Sequence, residues 1–247
     1  MERWHNRIAV VTGASSGIGT AVVKDLVREG VIVVALARRM DRLEAIRNTL
    51  PKDQQSRLHV QKCDVTKEND VNNTFDWIEQ TLGGVDILVN NAGVLIPGAL
   101  LTQSLSEINQ VLQTNIVGVV HCTQRAFKSM KSRNFDGHVF LINSLTGHGV
   151  LSCPPDEVPN FSIYGPSKFA ITSITEVLRQ EFRGYKTKIK VTSVSPGFVD
   201  TEIVPDTFQS DCMLNPEDIS AGILYALGTP PHVQVHELTI KPVSEAY

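Results

Sequence analysis

The chain has 247 residues, 42% of them hydrophobic and 20% charged, with a formal net charge of −3. That is ample for a buried core, and the apolar content excludes a disordered chain, as 17 Gly and 12 Pro exclude collagen-like or Pro-rich low complexity. With 23 basic residues facing 26 acidic ones and only 6% aromatics, neither bulk positive charge nor base-stacking platforms point to nucleic acid.

Met1 to Arg7 carries charges with no signal-like apolar region after it, and Thr12-Gly13 interrupts the run Ile8–Val11. That run is the first of a series rich in Val and Ile. Val31–Ala37, Leu58–Cys63, Ile87–Val89, Val139–Ile142 and Ile189–Val194 follow, short and nearly continuous as buried parallel strands should be. Val233–Ile240 alternates with polar residues and reads as a seventh strand nearer an edge. Helical patterns separate them. Thr66 is a candidate N-cap for a helix whose face carries Val71, Phe75, Ile78 and Leu82, with Gly83-Gly84 as its stop. Leu105, Ile108, Leu112, Ile116 and Val119 mark one face of a long element running towards Met130. Asn215-Pro216-Glu217-Asp218 opens another helix, with Pro at the first helical position. Such alternation implies crossovers, hence an α/β doubly wound, mostly parallel seven-stranded sheet with helices on both faces, a Rossmann-like architecture. No linker or repeat divides it, so residues 1–247 read as a single domain, with loops at about 145–163 and 198–215 for a substrate.

The longest plainly apolar stretch is about a third of a membrane span, so no membrane insertion is expected. Cys63, Cys122, Cys153 and Cys212 are scattered with no CxxC pair, which favours free buried thiols over disulfides. A soluble cytoplasmic protein is expected.

Thr12-Gly13-Ala14-Ser15-Ser16-Gly17-Ile18-Gly19 joins the first strand to the first helix. Glycines there admit positive φ and a close backbone approach, and the helix N-terminus behind them favours a pyrophosphate. By itself the stretch also reads as a tight strand–helix turn, and its spacing differs from GxGxxG. The second strand then ends Leu36-Ala37-Arg38-Arg39. An acid at this place would hold a free ribose hydroxyl, whereas a guanidinium grips a 2′-phosphate. NADP is therefore favoured, with Arg38 as the phosphate contact and Arg39 adding field; the other reading of the pair is a solvated helix start.

Tyr164 and Lys168 lie four residues apart, one turn along a helix running to about Phe182. A phenol with a reference pKa near 10 works poorly as an acid–base group at neutral pH. A neighbouring ammonium and an oxidised nicotinamide would lower it by about 3 units, roughly 4 kcal/mol. Ser144 follows the fifth strand at the carboxyl end of the sheet, where doubly wound folds bind ligands. Taken singly, the Tyr/Lys pair is ordinary surface packing and Ser144 a loop hydroxyl. A hydrolase built on Ser144 and His148 lacks the GxSxG elbow, and the seven His residues are too dispersed for a metal site.

The glycine turn, Asn90-Asn91-Ala92-Gly93, Asn115, Ser144, Tyr164-x3-Lys168 and Ser195-Pro196-Gly197 occur in one order over nearly the whole chain. In this the sequence resembles the single-domain branch of the short-chain dehydrogenase/reductase family. Within it, Met1-Glu2-Arg3-Trp4 and Ile142-Asn143-Ser144-Leu145-Thr146-Gly147-His148 resemble the dehydrogenase/reductase member 11 group, which includes insect farnesol dehydrogenases. The resemblance implies Tyr164 as general acid–base, Lys168 as its modulator and a ribose contact, Ser144 as the hydrogen-bond partner of the reacting oxygen, and Asn115 in a proton relay to Lys168 through water. It further implies that Gly13, Ser15, Ser16, Gly17, Ile18 and Gly19 cradle the coenzyme with Arg38 and Arg39. Asp64 would take the adenine amino group beside the Val65 backbone, Asn90, Ala92 and Gly93 the adenosine side, and Pro196, Gly197, Val199 and Thr201 the nicotinamide.

Gly165-Pro166 departs from the small residues usual between Tyr and Ser-Lys, but Pro is tolerable near a helix start. The Ser144–Tyr164 separation is longer than common, and Gly149–Asn160 reads as a loop enlarging or roofing a pocket. Val94, Leu95, Leu145, Val150, Leu151, Phe161, Phe198 and Val204 form an apolar set without a cation, so the expected substrate is a lipophilic alcohol or carbonyl, bound by Ser144, Leu145, Tyr164 and Phe198. An isoprenoid such as farnesol, a steroid, a retinoid or a diketone would suit. The family also implies a homodimer or homotetramer through the two long helices. A catalytically silent nucleotide sensor and a lyase or isomerase on the same scaffold are the rival readings.

Overall fold

Strand β1 (Ile8–Thr12) buries its last four residues, and its alternation sends Val10 to one layer and Val11 to the other. The computed structural model describes residues 1–204 and 213–244. Around β1 the chain lays down β2 (Ile32–Ala37), β3 (Leu58–Lys62), β4 (Ile87–Asn90), β5 (His138–Ile142), β6 (Lys190–Pro196) and β7 (Glu237–Ile240). All six pairings are parallel, in the order β3-β2-β1-β4-β5-β6-β7. The seven-stranded doubly wound sheet is as expected. The order reverses between β1 and β4, which opens a crevice at the carboxyl ends of those strands.

Helices α1 (Gly17–Arg28), α2 (Met40–Thr49) and α8 (Pro216–Gly228) lie on one face. There Val22, Leu26, Leu43, Ile219 and Ile223 join a buried cluster with Ala9, Val11 and Val33. The short α3 (Lys52–Gln55) leads into β3. On the other face α4 (Glu68–Leu82), α6 (Gly118–Ser132) and α7 (Tyr164–Gly184) bury Phe75, Ile78, Cys122, Met130 and Ile171 against Val10, Leu88 and Val139. Trp4, in a short 3-10 turn, is fully buried in the first cluster, and its indole donates to the Leu227 carbonyl at 2.8 Å.

Three local expectations change. Thr66 does not cap α4: Lys67 holds the N-cap position without a side-chain cap, while the Thr66 amide and hydroxyl both donate to Asp64 Oδ1 at 3.0 and 2.8 Å, a turn that competes with capping. The seventh strand begins at Glu237 rather than Val233, because side chains of β6 take up the preceding backbone. Lys190 Nζ donates to Val233 O at 3.0 Å and Thr192 Oγ1 to Val235 O at 2.6 Å. The long helical element is α5 (Leu105–Leu112), a π-turn at Gln113–Val117, then α6. Its core face carries Val111, Asn115, Val119, Cys122, Ala126 and Met130, whereas Leu105 is 76% exposed and Val117 47%. The expected stop of α4 and start of α8 hold. Gly83 closes α4 in the left-handed region at φ 87, and Asn215 with Asp218 forms a capping box before Pro216.

Candidate active site

A groove of about 270 Å³ runs along the crevice from Arg38 and Asp64 at one end to Ser144, Tyr164 and Phe198 at the other. At its centre is the β1–α1 turn. Gly13 has φ +62, and a Cβ there would stand 2.7 Å from Ala92 Cα, so the turn and the end of β4 approach as only glycine allows. Asn91 locks this contact. Its amide donates to the Thr12 and Gly13 carbonyls at 3.0 Å each, while Thr12 Oγ1 accepts from the Asn91 and Ala92 amides. Ser16 provides no side-chain cap for α1 and the first turn holds no acid, so the orphan N–H groups face the groove as an anion site. This cradle, with two arginines beyond it, fits a dinucleotide phosphate.

The two arginines differ in their contacts within the protein. Arg38 lines the groove and makes no hydrogen bond or ion pair with the described residues. Arg39 reaches over the glycine turn, donating to Ser15 Oγ at 3.1 Å and Ser16 Oγ at 3.1 Å, and pairs with Glu202 Oε2 at 2.9 Å.

At the other end β5 delivers Ser144, whose hydroxyl accepts from the Thr146 amide and hydroxyl at 3.2 and 3.0 Å. The first residue of α7 is Tyr164, hydrogen-bonded through its phenol to Ser144. Lys168, one turn on, is buried; its Nζ donates to the Ile142 carbonyl at 2.8 Å and lies 5.5 Å from the centre of the Tyr164 ring. Burial pushes the Tyr164 phenol up to about 12, with the Ser144 hydrogen bond acting the other way, and burial pulls the Lys168 ammonium down to about 8. In the protein by itself desolvation outweighs the Ser144 hydrogen bond, so the phenol is neutral at physiological pH.

Asn115 sits in the π-turn, a common device at functional sites. Its Oδ1 accepts from the Val94 amide at 2.9 Å, and its Nδ2 donates to Val94 O at 3.0 Å and Ser167 Oγ at 3.1 Å. Ser167 in turn donates to the Tyr164 carbonyl at 2.6 Å. The asparagine thus ties a pocket wall to the start of α7 without lining the groove itself.

Gly13, Ser15, Ser16, Gly17, Ile18, Arg38, Arg39, Asp64, Val65, Ala92, Gly93, Ser144, Leu145, Tyr164, Lys168, Pro196, Gly197, Phe198, Val199 and Thr201 all border the groove. Two expected contacts do not. Gly19 is packed beneath the turn, where a Cβ would meet Gly13 O at 2.4 Å. Asn90 turns its amide into the α6 layer and donates to Thr123 Oγ1 at 3.0 Å. Of the apolar set, Val150 is 84% exposed and points away, while Val94, Leu95, Leu145, Leu151, Phe161, Phe198 and Val204 line the space before Tyr164. Asn91, Thr114, Asn143, Glu202 and Ile203 also line it and were not singled out; for Asn91 the signal was its place in Asn90-Asn91-Ala92-Gly93. Residues 205–212, including Cys212 and part of the second substrate loop, lie outside the described residues. Cys63 and Cys122 are buried free thiols, but Cys153 is exposed. No helix among the described residues is long and apolar enough to cross a membrane.

Residues 7–211 match the family model described as short chain dehydrogenase. The farnesol dehydrogenase of Aedes aegypti is 51% identical over the full length of both chains. The dehydrogenase/reductase SDR family member 11 of Mus musculus is 38% identical, covering 99% of this chain and 97% of that one. Among solved structures, the closed form of serine dehydrogenase complexed with NADP+ superposes with a TM-score of 0.86 at 27% identity, covering 97% of this chain and 96% of its own. An alcohol dehydrogenase from the archaeon Thermococcus sibiricus complexed with 5-hydroxy-NADP gives 0.83 at 26% identity over 97% of each chain.

Proposed function

Since the chain belongs to the short-chain dehydrogenase family of oxidoreductases, we propose that it transfers a hydride between NADP and a lipophilic alcohol/carbonyl pair, an isoprenoid such as farnesol or else a steroid, retinoid or diketone. The observation that carries this reading is the convergence of Ser144, Tyr164 and Lys168 on one end of a groove whose other end is a phosphate cradle. The nicotinamide supplies or accepts the hydride when bound. The chain's residues manage the oxygen and its proton. Ser144 holds the reacting oxygen against Tyr164, which gives it a proton in carbonyl reduction and removes one in alcohol oxidation. Lys168 holds the α7 start against β5 through Ile142 and places a positive charge beside the phenol. Asn115 fixes Val94 and, through Ser167, the Tyr164 backbone, and completes a proton path towards Lys168 through water.

Coenzyme residues follow the same reading. Arg38 and Arg39 take the 2′-phosphate, Asp64 and Val65 the adenine, Ala92 and Gly93 the adenosine, and Pro196, Gly197, Val199 and Thr201 the nicotinamide. Gly19 and Asn90 act from behind, as packing for the turn and for β4. The substrate class is supported by the apolar wall of Leu95, Leu145, Leu151 and Phe198, which offers no cation for a carboxylate or phosphate, and by the farnesol dehydrogenase relative. The half-exposed apolar residues Val117 of the π-turn and Val177 of α7, with Leu105 of α5, support a homodimer or homotetramer, and we place the protein in the cytoplasm. Purified protein incubated with NADPH or NADP and a panel of alcohols and carbonyls tests the whole reading by reduced-nicotinamide absorbance. Turnover of farnesol or another lipophilic alcohol with NADP is expected; coenzyme binding without any turnover would favour a silent sensor.

A further inference from the structure

Glu202 lies on the segment that follows β6 and reaches across the groove to the far wall, where helix α2 begins. Its Oε2 is 2.9 Å from Arg39 NH1, and its Oε1 pairs with Arg42 NH1. Two guanidiniums on one carboxylate hold it below the usual carboxylate range, Arg42 first and then Arg39. The three side chains are about half exposed, with relative exposures of 43%, 42% and 54% for Arg39, Arg42 and Glu202. Arg39 also donates to Ser15 and Ser16, the hydroxyls of the phosphate turn. The carboxylate therefore occupies two guanidiniums beside the phosphate turn, Arg39 on the groove and Arg42 on the adjoining surface. Its neighbours Ile203 and Val204 line the apolar end of that groove, so whatever holds Glu202 also holds a wall of the substrate space.

We propose that Glu202 is an internal counter-anion that competes with the 2′-phosphate for Arg39 and Arg42, making it a determinant of coenzyme discrimination and freeing the segment after β6 when the phosphate displaces it. This rests on the NADP reading above. The displacement follows from charge. A phosphate monoester carries about −1.5 to −2 at neutral pH and three acceptor oxygens, against a single charge and two oxygens for Glu202. Arg38, with no partner among the described residues, adds a third guanidinium that the carboxylate does not occupy. A free 2′-hydroxyl has no charge with which to displace the carboxylate, so NAD leaves the strap in place. A partly exposed ion pair contributes little, so the competition costs phosphate affinity a modest factor rather than abolishing binding.

The fragments 2′,5′-ADP and 5′-AMP, which differ only in the 2′-phosphate, isolate this step from catalysis. Titration calorimetry of the wild type and Glu202→Gln with each fragment is expected to show 2′,5′-ADP binding about three- to ten-fold tighter to the variant, with 5′-AMP unchanged. Amide hydrogen exchange in residues 199–204 of the wild type is expected to rise with 2′,5′-ADP and not with 5′-AMP, and to be raised already in the variant. Equal affinity of both proteins for 2′,5′-ADP, or weaker binding of both fragments by the variant, overturns the proposal, the second because Glu202 would then be closing over the coenzyme. A wild type that binds 2′,5′-ADP no tighter than 5′-AMP overturns the NADP reading instead, and this proposal with it. Arg42→Gln supplies a second arm. Because Arg42 helps to hold Glu202, this variant is expected to reproduce the exchange rise; if exchange in residues 199–204 stays at the wild-type level, the pairing does not restrain the segment and the idea fails.

Discussion

Lys168 Nζ donates a 2.8 Å hydrogen bond to the carbonyl of Ile142, so the ammonium is anchored to the last residue of β5, two positions before Ser144. The bond fixes the relative placement of the strand end that carries Ser144 and the helix start that carries Tyr164. It also explains how a lysine whose ammonium burial disfavours can stay in place. Removing only the phenolic oxygen leaves this frame intact. Tyr164→Phe should therefore lower kcat by about 10²- to 10⁴-fold while calorimetric coenzyme affinity stays within about threefold. A comparable loss of coenzyme affinity would mean that the hydroxyl organises the site rather than exchanging the proton.

The direction of reaction should set the sign of the pH dependence. Oxidation of an alcohol needs the Tyr164 phenolate as base, and burial pushes that phenol up to about 12 in the protein alone. Its rate should climb steadily with pH through the neutral range. Carbonyl reduction needs the neutral phenol as acid and should not climb. Above about 8 the Lys168 ammonium loses its proton, and the charge that helps the phenol ionise is lost, so the rise in oxidation should flatten there. Initial rates in both directions between pH 6 and 10 check this; parallel profiles would remove Tyr164 as the shared acid–base group.

The strands were legible because a parallel strand covered on both faces writes itself as a continuous Val/Ile run, and the catalytic residues because Ser144, Tyr164 and Lys168 fall at strand and helix ends. The α5–α6 face was misread for a physical reason. Leu105, Ile108, Leu112, Ile116 and Val119 repeat with helical period, but only Val119 of these is buried, Leu105 is exposed and the other three are half-buried, while the core stripe of Val111, Asn115, Val119 and Cys122 is interrupted by a polar residue and shifted by the π-turn. Periodicity cannot tell a core face from an outward apolar face. Arg39 and Glu202 stand 163 residues apart, and no local pattern joins them. The rise of the Tyr164 pKa was equally hidden, since it comes from burial by segments distant in sequence.

His138 sets an acid limit on stability. It is fully buried on β5, stacked on Phe140 at 4.0 Å between ring centres. Thr192 Oγ1 donates to Val235 O and so accepts from His138 Nε2 at 2.8 Å, which assigns the proton to Nε2 and leaves Nδ1 bare and unpartnered. Burial, then the charges of Lys190 and Arg3, hold the imidazole well below its usual 6.5. The unfolded chain takes up a proton near 6.5 that the native state refuses, so stability is full above that pH and falls as pH drops below it, by up to about 1.4 kcal/mol per pH unit. Denaturant melts at pH 7.5 and 5.5 should show this loss, and His138→Leu should reduce the slope by about one proton; an unchanged slope would assign the acid sensitivity elsewhere.

Gly19 and Gly149 make a paired test of the cradle. A Cβ on Gly19 would stand 2.4 Å from Gly13 O and 2.5 Å from Asn91 Nδ2, whereas one on Gly149 meets nothing within 4 Å. Gly19→Ala must push the phosphate turn away from α1, which should cost about 1–3 kcal/mol of stability and weaken coenzyme binding by about tenfold or more. Gly149→Ala should change neither. Thermal melts with and without NADPH read both quantities, and a Gly19→Ala protein with wild-type coenzyme affinity would show that the turn does not bear on the phosphates.

Arg38 offers the sharpest test of coenzyme choice. It directly follows β2 on the groove wall, is exposed, and is engaged by none of the described residues. A guanidinium held there without a partner is available for a phosphate, and hydrogen bonds to a charged group contribute about 1.5–3 kcal/mol each. Arg38→Asp both removes such bonds and sets a carboxylate against the 2′-phosphate, while providing an acceptor for the ribose hydroxyls of NAD. NADPH affinity should fall by about 10- to 100-fold, and NADH affinity should hold or improve. Arg38→Gln separates the two effects, since it removes the charge without adding repulsion and should give an intermediate loss for NADPH with no gain for NADH. Equal losses for both coenzymes in Arg38→Asp would mean that the residue supports the fold of the β2–α2 turn rather than reading the phosphate, and Arg39, already seated on Ser15 and Ser16, would then carry that role alone.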